Sequence, residues 1–316
     1  MDGERTIRFG RGAIEDAPRL LGEGYALLTT SRAQELAPEL TERAAAVHEV
    51  PGGHVDEIAG ELRADVEGEL LVALGGGRVI DVAKALAAAH DPGERPIAAA
   101  IPTTLSAAEM TAVHRRAAGA DGALPGVRPA IVINDPALSA SQPEAQLAAS
   151  AANALGHAIE GPATIRASPV PALAGHEAAR LIDAAYGLSR GPNREVLALG
   201  ALLSGYAIDG CGYGLHHVLS QTLARFGGVS HAQANAAMLP HTLAALWSRG
   251  ASGAGAALDL ARDLARRAGA TRLRELGVSA DALDACADAA AERPDLDLTP
   301  PRLTRDEIAA LYASAF

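Results

Sequence analysis

The chain has 316 residues, which is enough for two ordinary domains that each bury a core of their own. Hydrophobic residues make up 49% of it and aromatic residues only 3%, so the interior must consist mainly of Ala, Leu and Val, and we expect helices to dominate. The formal net charge of −11 argues against a nucleic-acid-binding surface, and it requires any anion site to be built locally from arginines or helix ends.

Cysteine content and the length of apolar runs narrow the cellular setting. Cys211 and Cys286 are too few for a disulfide framework or a thiolate metal site, which fits a reducing cytoplasm. The N-terminus lacks an apolar core of signal-peptide length, and no uninterrupted apolar run approaches the ~20 residues that a bilayer span needs. We therefore expect a cytoplasmic protein with neither nucleic-acid nor membrane partners.

The first 140 residues alternate short β-like runs with segments of helical length. This alternation is typical of a parallel sheet with helices on both faces, and it predicts a Rossmann-like α/β domain over residues 1–140. The five predicted strands are Tyr25 to Thr29, the region Ala44 to Val50, Leu70 to Leu74, Ile97 to Ile101 and Ala130 to Ile133.

Three consecutive glycines, Gly75, Gly76 and Gly77, follow the apolar run 70–74 and lead into an Ala-rich helical pattern. They remove every Cβ atom at the start of the new helix, where free N–H groups and the positive end of the helix dipole would hold a pyrophosphate. The loop is neither the spaced-glycine dinucleotide fingerprint nor a P-loop. Taken alone, an ordinary tight turn explains it about as well as a nucleotide cradle does.

A second polar segment follows the predicted strand 97–101. Thr103, Thr104 and Ser106 carry hydroxyls at the carboxyl edge of a parallel sheet, which is the usual position of ligands in open α/β folds. We expect this segment to face the glycine loop.

After residue 136 the texture changes to long Ala/Leu-rich segments with apolar residues at helical spacing, which predicts an all-helical domain over residues 141–316. Breaks are predicted near 161–162, 189–192, 227–228 and 249–255. The acidic run 292–297 is interpreted as a solvated loop. We expect a ligand cleft where the two halves meet.

Histidines are concentrated in this second half. Asn153 and His157 stand four residues apart on one helix face, and His216, His217, His231 and His241 follow on later segments. A single histidine on an Ala-rich helix is usually structural. Several on different helices, in a chain with a candidate nucleotide site, favour a shared polar site.

Six segments of the chain resemble, in the same order, those of the iron-containing alcohol dehydrogenase superfamily, most closely its maleylacetate reductase branch. The matching segments are 75–84, 101–111, 153–160, 214–217, 230–232 and 239–241. The resemblance covers residues 9 to about 246. It implies the dehydroquinate synthase-like fold of this superfamily, NAD(P)H-dependent reduction of CH–OH or CH–CH groups, and a homodimer.

Carried over by position, the resemblance assigns a cofactor role to residues of both polar segments. The implied cofactor contacts are Gly75, Gly76, Gly77, Arg78, Asp81, Lys84, Thr103, Thr104 and Ser106. Arg78 departs from the serine that the family has there, and it could either clamp a phosphate or crowd the pyrophosphate. Because residues 29–32 include no acidic side chain for a ribose diol, while Arg32 could accept a 2′-phosphate, NADPH is slightly favoured over NADH.

The resemblance also bears on metal use. Metal-using members hold their ion with an aspartate and three histidines, and the corresponding residues here are Asn153, His157, His217 and His231. An amide is a weak neutral ligand, so we expect hydride transfer without a metal and a histidine as proton donor, His217 or His231 first and His157 next. The alternative is a metal-dependent iron or zinc alcohol dehydrogenase that holds the ion with the three histidines.

Further departures concern the substrate. Gln221 replaces a histidine that the family has four residues after His217, and Ala224-Arg225 replaces a Gly-Gly pair. For a small anionic oxo acid, the candidate partners are Arg78, Arg115, Arg116, Arg225 and His241. The remaining alternative is a diverged member whose redox chemistry is altered or lost and which serves specialised metabolism.

Overall fold

The structure, a computed structural model, describes residues 5–91, 93–122, 125–140, 142–187 and 191–316. The chain divides into two compact units, Met1–Ser141 and Gln142–Phe316. Ser141, the predicted first residue of the helical domain, and positions 189 and 190 of a predicted break lie outside the described residues.

The first unit contains a six-stranded, entirely parallel sheet with the strand order β1-β6-β5-β4-β2-β3. Its strands are β1 (Thr6–Phe9), β2 (Tyr25–Thr29), β3 (Ala44–Glu49), β4 (Leu70–Gly75), β5 (Ile97–Pro102) and β6 (Ile131–Asn134). The five predicted strands are confirmed to within one residue at each end. The edge strand β1 was not predicted.

Helices of the first unit cover both faces of this sheet, because successive apolar side chains of each strand point to opposite faces and both sets must be buried. They are α1 (Ala17–Leu21), α2 (Ser31–Gln34), α3 (Pro38–Arg43), α4 (Val55–Leu62) and α5 (Gly77–Ala88). Leu71 and Ala73 of β4 belong to the core under α4 and α5, whereas Val72 and Leu74 belong to the core on the opposite face.

The sheet order places the glycine loop at a topological switch point. Along the chain the sheet grows from β2 to β3 in one direction and from β4 to β5 and β6 in the other, so the direction reverses between the neighbours β2 and β4. Ligands of open α/β folds bind outside the carboxyl ends of strands at such a point. Gly75 is the last residue of β4 and therefore lies at that point.

The second unit is helical, as predicted. Its helices are α6 (Glu144–Ala163), α7 (Pro169–Tyr186), α8 (Arg194–Cys211), α9 (Leu215–Phe226), α10 (His231–Ser248), α11 (Leu258–Arg267), α12 (Ala280–Ala291) and α13 (Arg305–Ala315). α6 packs against α7, α8, α10 and α11, and it is buried from Ala151 to Gly161 because its Ala and Gly residues let the neighbouring helices approach closely.

Within the described residues, no single helix combines the length and the apolar composition of a membrane span. Taken together, α8 and α9 have that length and composition, but they are bent by 100° where they join.

Candidate functional site

In the first unit, the end of β4 and the start of α5 form a loop whose backbone is closely packed. Gly76 occupies the N-cap position of α5 without any side-chain cap. An added Cβ would lie 2.6 Å from Val79 at Gly75, 3.2 Å from Thr104 at Gly76 and 2.8 Å from Ser106 at Gly77. The glycines are therefore required by the close approach of the chain's own neighbours, and the N-cap residue Gly76 has no side chain that could cap the first-turn N–H groups of α5.

The loop after β5 faces the glycine loop, as predicted. The backbone N–H of Thr103 donates to the Gly75 carbonyl over 2.9 Å. Thr104 and Ser106 bring hydroxyls beside the first turn of α5. Uncapped N–H groups and hydroxyls at the carboxyl edge of the sheet fit the pyrophosphate of a dinucleotide. Arg78 is exposed on this first turn and lies outside the packed loop.

Lys84 is fully buried, and its place in the structure corrects the cofactor contact expected for it. The ammonium donates to the Asp81 carboxylate over 2.8 Å, to the Ala108 carbonyl over 3.1 Å and to the Val113 carbonyl over 2.7 Å. These three acceptors use all three of its N–H donors. Lys84 therefore fixes the loop 106–113 against α5, and Asp81 serves as its counter-ion.

An acidic side chain lies next to the segment 29–32, where the sequence alone favoured NADPH. Ser31, at the start of α2, donates a 2.6 Å hydrogen bond to the carboxylate of Glu49, the last residue of the neighbouring strand β3. A carboxylate thus lies beside Ser31 and Arg32, where the sequence seemed to offer only hydroxyls and a cation. Because an acidic group here repels a 2′-phosphate and can bond a ribose diol, the preference for NADPH loses its basis.

The second unit assembles a buried cluster of histidines. His157 of α6 and His217 of α9 stack with ring centroids 4.4 Å apart and an interplanar angle of 18°, and His216 meets His217 edge-on at 4.8 Å. The ring of His216 lies against the backbone of Gly156, where an added Cβ would be 2.6 Å from Nε2. Gly156 therefore admits this ring. Asn153 lies one turn before His157 and is buried as well.

Glu160, also on α6, holds the beginning of α9. One of its carboxylate oxygens accepts the backbone N–H of His216, and the other accepts the backbone N–H of His217 over 3.3 Å. The N–H of Leu215 donates to the Thr299 hydroxyl over 3.1 Å. Side chains from two other segments thus satisfy the first three N–H groups of α9, which has only Gly214 at its N-cap.

The hydrogen bonds of the cluster define the tautomers of two histidines. Nδ1 of His217 lies 2.7 Å from Glu160, whose carboxylate is an acceptor, so Nδ1 carries the hydrogen. Nδ1 of His216 lies 2.8 Å from the Thr242 hydroxyl, which itself donates to the Met238 carbonyl over 3.0 Å and must therefore accept from the ring. Both imidazoles consequently present Nε2 as a lone pair, and among the described residues the buried Nε2 of His217 has no hydrogen-bond partner.

Burial governs the ionisation of the cluster. It lowers the pKa of His216 and of His217 to about 3, with the neighbouring histidines adding to the effect, and it lowers the pKa of His157 well below its ordinary value. Burial raises the pKa of Glu160, while the His216 ring and the backbone N–H groups at the start of α9 oppose that rise. The cluster therefore consists of three neutral imidazoles around one hydrogen-bonded carboxylate.

The remaining predicted members, His231 and His241, both belong to α10. His231 is the exposed first residue of α10, yet it is close enough to contribute to the lowered pKa of His157, His216 and His217. His241 lies on the same helix, where its Nδ1 pairs with the Ser314 hydroxyl at 2.8 Å. Its bonding partner therefore belongs to the C-terminal helix α13 and not to the histidine cluster.

The donor set does not fit a divalent metal. The position expected for an anionic ligand is the amide Asn153, and the rings of His157 and His217 stack face to face instead of converging on one point. Among the described residues, no three His, Cys, Asp or Glu side chains are arranged to hold one ion.

A polar group that sequence reasoning missed borders the cluster. Arg293 donates to the Tyr213 hydroxyl and to the side-chain oxygen of Gln221, both over 3.2 Å, and forms a 2.8 Å ion pair with Asp295. The ring of Tyr213 lies 6.0 Å from that of His217. The run 292–297, interpreted as a solvated loop, thus includes an ordered ion pair and a 3₁₀ helix, Pro294–Leu298, with Leu296 buried.

The four arginines nominated for an anionic substrate are all exposed. Arg78, Arg115 and Arg116 belong to the first unit, where Arg116 donates to the Gly122 carbonyl. Arg225 occupies the last turn of α9, eight residues beyond His217. Arg293, which the sequence analysis did not nominate, lies beside the histidine cluster through its hydrogen bonds to Tyr213 and Gln221.

Two family models match the chain. The model described as "Iron-containing alcohol dehydrogenase" matches residues 4–136, and the model described as "Fe-containing alcohol dehydrogenase family, C-terminal" matches residues 147–316. Together they span both units.

Individual relatives agree with these models. The maleylacetate reductase of Burkholderia cepacia is 30% identical over 343 residues, which cover 98% of this chain and 95% of that protein. The crystal structure of maleylacetate reductase from Agrobacterium tumefaciens has a TM-score of 0.82 at 28% identity and covers 100% of this chain and 97% of that chain. The sulfoacetaldehyde reductase of Bifidobacterium kashiwanohense, solved in complex with NAD⁺, shares the fold with a TM-score of 0.79 at 24% identity, covering 98% of this chain and 96% of that chain.

Proposed function

The chain belongs to the iron-containing alcohol dehydrogenase family and is an oxidoreductase, and we propose that it reduces a small oxo acid with NADH or NADPH, without a metal. The reaction would resemble that of a maleylacetate reductase, at a C=C bond or at a nearby carbonyl. The observation that carries this proposal is the buried His217–Glu160 pair, set among neutral groups that make a poor metal site.

The cofactor supplies a hydride when it is bound, and its pyrophosphate would be held by Gly75 to Gly77 and the hydroxyls of Thr104 and Ser106. The edge of the sheet offers these groups side by side, which supports the assignment. Lys84 shapes this region indirectly, through the loop that it fixes.

His217 donates the proton that the reduced substrate needs. A proton taken up by this imidazole must sit on Nε2, because Nδ1–H is already bonded to Glu160. The carboxylate then stabilises the imidazolium, which gives its proton to the substrate and returns to the neutral tautomer. His157, stacked on His217, fixes the ring plane.

This assignment predicts a direction for the pH dependence. Burial lowers the pKa of His217 to about 3, so the acidic form is a minor species near neutrality and becomes scarcer as the pH rises. When proton transfer limits the rate, kcat/KM for reduction should fall by about tenfold per pH unit above neutrality.

The test is oxidation of NADH and of NADPH with maleylacetate and a panel of small oxo acids, with and without a chelator, alongside metal analysis of the purified protein. We expect turnover that survives chelation. His217→Ala should lower kcat by about 10²- to 10⁴-fold, whereas His176→Ala, which changes an exposed histidine on α7, should leave it unaltered. Activity that disappears with the chelator and returns with iron or zinc would refute metal-free reduction.

A further inference from the structure

Arg293 lies where a group of the substrate could meet it. Its guanidinium contacts Tyr213 and Gln221, which stand four residues before and four residues after His217. Because residues four apart lie on one helix face, Gln221 is one turn along α9 from His217. The guanidinium therefore borders the side of α9 that also carries the His217 imidazole.

The guanidinium has donors to spare. Asp295 takes hydrogen bonds from Nε over 3.1 Å and from Nη2 over 2.8 Å, and Tyr213 and Gln221 both share Nη2. Among the described residues, Nη1 of Arg293 has no hydrogen-bond partner. Asp295 thus anchors one edge of the planar fork and leaves the two N–H groups of Nη1 for an acceptor.

The surroundings select the kind of acceptor. The hydroxyl of Tyr213 accepts from Arg293 and is also hydrogen-bonded to the side chain of Gln221. The Nη1 edge of the guanidinium, with these two polar side chains beside it, is therefore the donor that a ligand near His217 would meet. A carboxylate, with two acceptor oxygens and a negative charge, matches a guanidinium fork better than a neutral carbonyl does.

We propose that Arg293, with Tyr213 and Gln221 beside it, forms the binding site for a carboxylate of the substrate. The inference rests on the proposed function, because it names the residues that would hold that substrate. It also explains how a chain with a net charge of −11 can hold an anion: a single, partly buried arginine supplies the attraction locally.

A binding experiment tests the site without any turnover. Adipate, a six-carbon dicarboxylate, and 1,6-hexanediol, a neutral molecule of the same length, are titrated calorimetrically into the full-length protein. We expect wild type to bind adipate at millimolar concentration and not the diol. Arg293→Gln should weaken adipate binding by about tenfold or more, since a charge-assisted pair is lost.

Two further variants separate carboxylate binding from a structural role. Asp295→Asn removes the negative charge beside the site and should bind adipate at least as tightly as wild type. Arg262→Gln removes an exposed arginine that pairs with Asp259, and it should bind adipate like wild type. The proposal is overturned by equal adipate binding in wild type and Arg293→Gln, by no binding in wild type, or by an equal loss in Asp295→Asn and Arg293→Gln.

Kinetics with maleylacetate provide the second readout. Arg293→Gln should raise KM by about tenfold or more and leave kcat within about threefold, because it removes binding that ground state and transition state share. If no oxo acid is reduced by wild type, the proposed function fails, while the calorimetry still decides whether Arg293 binds a carboxylate.

Discussion

Each unit buries a cluster of polar side chains, and the two clusters differ in what remains unpaired. In the first unit, the ammonium of Lys84 is fully enclosed and has an acceptor for each of its three donors. In the second unit, within the part of the chain that the structure describes, Nδ1 of His157 and Nε2 of His217 are buried without a hydrogen-bond partner. In both clusters, removing polar groups from water costs free energy. Only in the first cluster does a hydrogen bond within the protein offset that cost at every polar atom.

The difference separates architecture from function. A buried polar group with all its hydrogen bonds made has no capacity left for a ligand, whereas an unpaired buried nitrogen requires an explanation. Sequence resemblance alone assigned both Lys84 and His217 to the active site. Their hydrogen bonds distinguish the two residues. Lys84 donates all its hydrogens within the protein and supports a loop, whereas His217 keeps a lone pair on Nε2 that a ligand can use.

Glu160→Gln tests the second unit. The amide retains the size of the carboxylate but loses the charge that stabilises a His217 imidazolium, so we expect kcat for reduction to fall by about 10- to 100-fold, as for other groups that orient a functional histidine. The measurement is steady-state reduction of maleylacetate with NADH and NADPH.

A structural role for Glu160 would not change the state of the ring, so the control is spectroscopic. Histidine-selective ¹⁵N spectra of wild type should show His217 as the Nδ1–H tautomer, and Glu160→Gln should shift it towards Nε2–H or a mixture. Unchanged tautomers together with unchanged kcat would contradict the positioning role.

Lys84→Met tests the first unit. The variant keeps the length of the side chain but leaves the Asp81 carboxylate and two buried carbonyls without their donor, and we expect the free energy of unfolding to drop by about 3 kcal/mol. Urea denaturation measures it. Arg180→Met, which breaks an exposed pair at the same i,i+3 spacing, should have little effect. A stable Lys84→Met protein that binds NADH poorly would restore the cofactor role.

Glu109→Gln should stabilise the protein in a pH-dependent way. Burial raises the pKa of the Glu109 carboxyl from 4.5 to about 7, so the folded protein holds this proton more tightly than the unfolded chain does. The stability that the neutral carboxyl contributes is complete below the unfolded pKa and is lost as the pH rises through about 7. Gln stays neutral, so the variant should gain up to about 3 kcal/mol over wild type at alkaline pH.

Chemical denaturation of both proteins at about pH 5 and about pH 8 provides the comparison. We expect a small difference in stability at the lower pH and a larger one at the higher pH. A difference that is the same at both values would show that the Glu109 carboxyl does not change its protonation in the folded state.

The smallest expected effect is that of Ala107→Gly. Ala107 has a φ of +63° in the loop that Lys84 supports. Relief of this left-handed conformation gains about 1–2 kcal/mol, and the greater freedom of glycine in the unfolded chain takes back about 0.4–1 kcal/mol. Thermal unfolding should therefore show a net stabilisation of about 0.5 kcal/mol. A lower melting temperature would mean that the Ala107 methyl group packs favourably enough to outweigh its backbone strain.

Most of the fold was accessible from the sequence because its signals are local. The interior strands are continuous apolar runs, and the helical half shows clear periodicity. β1 was not predicted because its four residues, Thr6 to Phe9, form an edge strand with alternating polar and apolar side chains, two of which are exposed. Four residues are too few for such a pattern to stand out from a loop.

The candidate site was accessible only in part. The glycine loop and the histidines are visible as motifs, and the Asn153–His157 spacing shows which helix face they share. Glu160 could have been suspected, because His216-His217 opens a helix with glycine at the N-cap and needs an acceptor from elsewhere. No local signal marks Arg293, which contacts Gln221 across 72 positions of sequence.

The enclosure of α6 has a consequence for redesign. Asn153, His157 and Glu160 belong to α6, which most of the other helices of the second unit contact. The His216 ring packs against the backbone of the same helix at Gly156. Laboratory evolution towards a new oxo-acid substrate should find few tolerated substitutions on α6, because each substitution would disturb several neighbouring side chains together. The rim formed by positions 213, 221 and 293 is the economical place to randomise.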